Sequence, residues 1–107
     1  KKSTNKIHII QGLDKKLSIQ DIAKSKGLTN DDLIIEIETI VESGTKLDLQ
    51  YIIKEIMEDY EKEEIYDACK DSENFSIEEL RSIYEEDEFS DEELRIVRVQ
   101  FISDIGN

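Results

Sequence analysis

The 107-residue chain has no proline, one cysteine, one histidine and only four glycines, Gly12, Gly27, Gly44 and Gly106. With turn formers this scarce and Leu, Ile, Glu and Lys abundant, helices are favoured over a turn-rich sheet. A single Cys69 cannot form an internal disulfide, and with His8 it cannot complete a Cys/His zinc set. His8 also lacks triad spacing to a nucleophile and reads as a surface or core-edge residue. No two glycines lie closer than 15 residues, which excludes the phosphate-cradling P-loop and the dinucleotide fingerprint. There is no apolar run near the roughly 18 residues needed to cross a bilayer and no apolar secretory segment at the start, so no membrane partner is expected. The expected setting is reducing and cytoplasmic, and nucleoid-associated if the chain meets DNA.

What the chain does have is charge, unevenly placed. The formal net charge is −13. Residues 1–30 hold seven lysines (Lys1, Lys2, Lys6, Lys15, Lys16, Lys24, Lys26) against Asp14 and Asp21, or +5; residues 31–107 hold seven basic against 25 acidic residues, or −18. One end can meet an anion and the remainder repels it. At this length one core is expected, and the basic "KKSTNK" start on Lys1 rather than Met suggests a piece of a larger protein. Residues 1–16 read as a basic segment and first helix continuous with an upstream linker, and residues 17–107 as the main helical domain.

Helix starts are marked by Ser or Thr followed three residues later by an acid, a pairing that satisfies the free amides of a first turn. Ser18/Asp21, Thr29/Asp32, Ser76/Glu79 and Ser90/Glu93 fit. The pattern predicts an all-α bundle of six to seven short helices. Helix one covers 3–13 with Ile7, Ile10 and Leu13 inward, helix two 18–26 with Ile19, Ile22 and Ala23, and helix three 29–43 with Leu33, Ile37, Ile40 and Val41. Gly27 and Gly44 stop the second and third. Alternation at Leu47, Asp48 and Leu49 predicts a short extended arm or bend near 46–50. A helical stripe then runs through Leu49, Ile52, Ile53, Ile56, Met57 and Tyr60. Helices follow at 62–71 with Ile65, Ala68 and Cys69, at 76–86 with Ile77, Leu80, Ile83 and Tyr84, and at 90–105 with Leu94, Val97, Phe101 and Ile105.

Cys69, at helical spacing from Ile65, reads as a small buried hydrophobe whose neighbours Asp67 and Asp71 would raise its pKa. "DSENFSIEE" lacks the glycine and acid spacing of a calcium loop. No catalytic residue or metal ligand is assigned. The remaining motif is "DIAKSKGLTNDDL": Ala23, Gly27 and Leu28, with Ile22 and Leu33 inward, have helix-turn-helix spacing. Yet helix three would present Asn30, Asp31 and Glu38 outward, acids that repel phosphate. Candidate DNA-backbone contacts are therefore Lys15, Lys16, Lys24 and Lys26, with Lys6 upstream. With no aromatic residue before Tyr51, this region is expected to lack a base-stacking platform, and binding to be weak and indifferent to sequence.

The order of these pieces, "LSIQDIAKSKGLTNDDLIIEIETIVESGTKLDL" and then "EEIYDACKDSENFSIEELRSIYEEDEFSDEELRIVRVQFI", resembles the C-terminal helix-turn-helix domain of bacterial RecQ-type DNA helicases over residues 17–102. The matching positions are Ser18, Ile22, Ala23, Gly27, Leu28 and Thr29; Ser43 and Gly44; Leu47, Asp48 and Leu49; and Glu92, Leu94, Arg95 and Val97. The acidic "VESGTKLDLQYII" type of sequence is similar to members from Bacteroidetes-like bacteria, while the acidic second helix departs from members that could apply this motif to DNA. The resemblance implies a non-catalytic accessory module behind an ATP-dependent helicase core with a zinc-binding and winged-helix region, acting in DNA recombination and repair. ATP, Mg and zinc are then cofactors of the parent protein and not of this segment. The implied partners are DNA, bound weakly, or other domains of the same helicase. A separate reading, from the charge alone, is an acidic protein-interaction module of a regulatory protein with no nucleic-acid contact.

Overall fold

The computed structural model describes residues 2–72 and 76–106, with side chains from Asn5 onward. Seven helices follow one another: α1 (Lys2–Asp14), α2 (Ile19–Ser25), α3 (Asn30–Glu42), α4 (Gln50–Ile56), α5 (Asp59–Asp71), α6 (Ile77–Ile83) and α7 (Asp91–Ile105). No strand occurs among the described residues, so the chain is all-α as its composition predicts. The four expected caps are present: Ser18, Thr29, Ser76 and Ser90 each accept the amide of the acid three residues on, at 3.0, 3.0, 3.2 and 3.1 Å. Glu93 returns a bond to the Ser90 amide, completing a capping box.

α7 is the central element. It packs most extensively on α3 and α5 and also meets α6 and α4, while α1 and α2 lie against α3. Burial of Leu94, Ile96, Val97, Val99, Gln100, Phe101 and Ser103 surrounds most of its circumference with protein. A helix enclosed this way loses the one-sided pattern of a surface helix. That explains why the stripe Leu94, Val97, Phe101, Ile105 is incomplete as a core list: Ile105 is exposed, and Gln100 and Ser103 are buried.

Three other expectations are corrected. In α1 the inward face is Ile9, Gly12 and Leu13 rather than Ile7, Ile10 and Leu13; Ile7 is 56% exposed and Ile10 only partly buried. The reason is close approach, since a Cβ on Gly12 would stand 2.7 Å from Cγ1 of Ile22, and α1 must turn this glycine toward α2. The stripe from Leu49 to Tyr60 is not one helix. α4 ends at Ile56, Met57 is extended, and α5 starts from Glu58, whose amide donates to the Glu61 carboxylate at 2.8 Å. Met57 stays buried while Tyr60 is 71% exposed. A start signalled by Glu rather than Ser or Thr is what hid this boundary. Finally, α6 stops at Ile83, which faces solvent, because the Arg81 guanidinium donates to the carbonyls of Tyr84 (2.9 Å) and Phe89 (2.8 Å) and pairs with Asp91 (2.6 Å). Those bonds close the α6–α7 connection over a perpendicular Tyr84–Phe89 ring pair.

Residues 46–50 form no paired strand. Residues 46–49 are irregular chain leading into α4 at Gln50, pinned by side chains of α7. The Leu47 amide donates to Ser103 Oγ (3.0 Å), Ser103 Oγ donates to the Leu47 carbonyl (3.1 Å), and the Leu49 amide donates to the Gln100 side-chain oxygen. Gln100 Nε2 reaches the Leu47 carbonyl and Asp104. Gln100 and Ser103 thus stand in for a neighbouring strand, which lets Leu47 and Leu49 bury their side chains without orphaning their backbone.

Candidate nucleic-acid interface

The candidate lysines sit on two turns. Lys15 and Lys16 follow α1, Lys24 lies in the last turn of α2 and Lys26 caps it; all four are exposed, and Lys6 on α1 is partly exposed. α2 is only seven residues long, so the two pairs stand at opposite ends of an element about 10 Å in length. Among the described residues none of the five is ion-paired.

The arginines behave differently. Arg81 is committed to Asp91, Arg95 to Asp31 and Glu38, and Arg98 to Glu38 and Glu42. Arg95 makes a two-pronged contact with Glu38, Nε at 3.2 Å and Nη2 at 2.9 Å, and a 2.6 Å contact with Asp31. These hydrogen bonds hold its guanidinium more firmly protonated than usual, against the opposing effect of burial. The acidic side of α3, expected to face outward, is therefore turned partly toward α7: the side chains of Glu38 and Arg95 are each only 18% exposed, although Asp31 remains 68% exposed. Sequence reasoning identified the acids but not their partners, because Arg95 lies 57 residues from Glu38.

The helix-turn-helix geometry holds at its turn. Leu28 N–H reaches the Ala23 carbonyl and Gly27 N–H that of Lys24, with Gly27 at φ +68°; the same double bond recurs after α3, where Gly44 has φ +105°. Both are Schellman closures, which need a residue in the left-handed region. A third follows α1, with Leu17 N–H bonded to the Gly12 carbonyl and Lys16 N–H to Leu13, but here the left-handed position is Lys16, at φ +62°. Tyr51 of α4 packs on this turn. Its hydroxyl donates to the Leu17 carbonyl, and the Lys16 ammonium lies 5.3 Å from its ring centroid.

Residues 3–53 match the RecQ-1-like, helix-turn-helix domain family. Over these residues, a little under half of the chain, the sequence is similar to a RecQ-type helix-turn-helix domain. Curated proteins give no match to the sequence. The RecQ-like match takes in α1, α2, α3 and most of α4 and ends at Ile53, short of the 17–102 span suggested by the order of motifs.

His8 Nε2 and Ser25 Oγ lie 2.5 Å apart, and the Ser25 hydroxyl also donates to the Ile22 carbonyl. Among the described residues there is no cluster of three or more His, Cys, Asp or Glu that could hold a metal ion. The stretch 71–79 includes residues 73–75, which lie outside the described residues. No helix of the described residues is long and apolar enough to cross a membrane.

Cys69 is buried, and burial rather than Asp67 or Asp71 pushes its thiol up to about 11, with Arg98 opposing. Burial is also the leading cause that moves Tyr51 and Tyr84 up to about 12 and raises Tyr66 as well. In each case the neutral form is favoured in the folded chain, so the native state retains protons that the unfolded state releases at its ordinary pKa. Stability is fully present below about pH 9 and falls as pH rises toward 12. Absorbance at 295 nm should accordingly show most tyrosinate forming together with loss of helical circular dichroism. Ionisation of all four tyrosines near pH 10 with helicity intact would contradict this.

Proposed function

We propose that this chain is a non-catalytic accessory domain of a RecQ-type DNA helicase, which aids unwinding in recombination and repair by weak, sequence-independent contact with the DNA backbone. The carrying observation is the division of labour among the cations: Arg81, Arg95 and Arg98 are consumed by internal ion pairs, whereas Lys6, Lys15, Lys16, Lys24 and Lys26 are left unpaired around α2. Lysines of this kind neutralise phosphates and release counterions without reading bases. α3 would not enter a groove, because its acids are held against α7 and Asp31 and Asp32 remain at its start. ATP hydrolysis, Mg and zinc would belong to other parts of the parent protein.

Fluorescence anisotropy with a labelled duplex tests this directly. Four phosphate contacts give a slope of about −3 to −4 for log K against log salt, and reversing Lys15, Lys16, Lys24 and Lys26 to Glu weakens binding by roughly tenfold or more at low salt. Binding that is undetectable, or unchanged by the reversal, would instead favour docking of the acidic helices onto a protein. A parent sequence without a GxxxxGK[ST] motif and a DExH-like box would remove the helicase assignment.

A further inference from the structure

The turn after α1 has two features that packing alone does not require. The other two Schellman closures place glycine at the left-handed position, whereas this one places Lys16 there at φ +62°, a conformation that a side chain disfavours. Tyr51, 34 residues downstream, then fixes the turn by donating its hydroxyl to the Leu17 carbonyl and carries the Lys16 ammonium 5.3 Å from its ring centroid. The basic region therefore does possess an aromatic ring, supplied by α4.

We propose that Lys15, Lys16 and Tyr51 together form a contact for single-stranded nucleic acid, in which the lysines take neighbouring phosphates and a base stacks on the Tyr51 ring. This rests on the reading of the lysines as backbone contacts and deepens it. Among the described residues the Lys16 ammonium forms no ion pair, and its contact with the face of the partly buried Tyr51 ring is a weak one at an exposed site, so it exchanges readily for a phosphate oxygen and opens that face. Stacking of this kind tolerates any base, which agrees with sequence-independent binding. The neighbouring cleft of about 540 Å³ does not serve as the phosphate site, because Asp14, Asp48 and Asp104 outnumber Lys16 and Lys46 on its walls. These acids confine a strand to the outer side of the turn, where Lys15 and Lys16 are exposed.

The test measures anisotropy of the 107-residue chain on a labelled oligo(dT) and on a duplex of equal length, with folding checked by circular dichroism. Tyr51→Leu is expected to lower single-strand affinity by roughly tenfold while duplex affinity stays within about twofold, and Tyr51→Phe to retain both. Lys16→Gly, which suits the positive φ, remains folded and reduces the single-strand salt slope by about 0.7. The proposal is overturned if Tyr51→Leu binds oligo(dT) within twofold of the parent chain, if it loses single-strand and duplex affinity equally, or if the unmodified chain does not bind oligo(dT). Should Tyr51→Leu be silent while the fourfold lysine reversal still abolishes binding, the stacking contact fails and the backbone reading stands.

Discussion

Arg95→Met is expected to lower the unfolding free energy by about 2–3 kcal/mol, between the values typical of exposed and fully buried ion pairs, and the melting temperature by roughly 10 °C. The guanidinium is shared between Glu38 and Asp31, and the Glu38 carboxylate, at 18% side-chain exposure, would be left with the longer 4.0 Å approach of Arg98. The cost therefore comes less from the lost attraction than from a poorly solvated negative charge left behind on α3. A Glu38→Leu substitution in the same background should recover at least half of the loss, since an apolar pair of similar volume replaces the orphaned charge. Thermal unfolding of the two single variants and the double variant measures this coupling; strictly additive losses would show that Arg95 and Glu38 do not act as a pair. DNA affinity should change little in folded Arg95→Met, because the candidate contacts lie on other turns.

Gln100→Leu is expected to cost about 2–3 kcal/mol despite raising the hydrophobicity of the core. Gln100 is 2% exposed, and its side chain accepts the Leu49 amide and donates to the Leu47 carbonyl and Asp104. Leucine fills similar space but leaves the Leu49 amide without its α7 partner, and an unsatisfied buried donor carries its full desolvation cost. Ser103→Ala should carry a comparable cost, since the Leu47 amide loses Ser103 Oγ although the Leu47 carbonyl retains the Gln100 amide. Hydrogen exchange provides the local check: the Leu49 amide should lose protection selectively in Gln100→Leu. A variant as stable as the parent chain would mean that the 46–50 segment is held by its apolar side chains alone.

Both cases show where reading the chain in one dimension stops. The starts of α2, α3, α6 and α7 were legible because a cap and its acid lie three residues apart, and the stops after α2 and α3 because Gly27 and Gly44 take a backbone conformation that other residues resist. The break at Met57 was not legible, since apolar spacing runs through it unchanged and only the departure of α5 toward α7 forces it. Face assignments were secure where one side of a helix is buried, as in α3, and failed in α1 and α7. In the first a glycine contact sets the face, and in the second almost every face is covered.

The candidate site divides along the same line. The cluster of lysines in residues 1–30, the absence of a Cys/His metal set and the helix-turn-helix spacing depend on residue type and short separations, so they can be read directly from the chain. Three facts depend on contacts between residues far apart in sequence. Arg95 and Arg98 pair with the acids of α3 from more than 50 residues away; Gln100 and Ser103 replace a missing strand; and Tyr51 reaches back 34 residues to the Lys16 turn. Each arises because burying α7 between α3, α4 and α5 brings these groups together at distances where charge, hydrogen bonding and ring contact act, which no local pattern specifies.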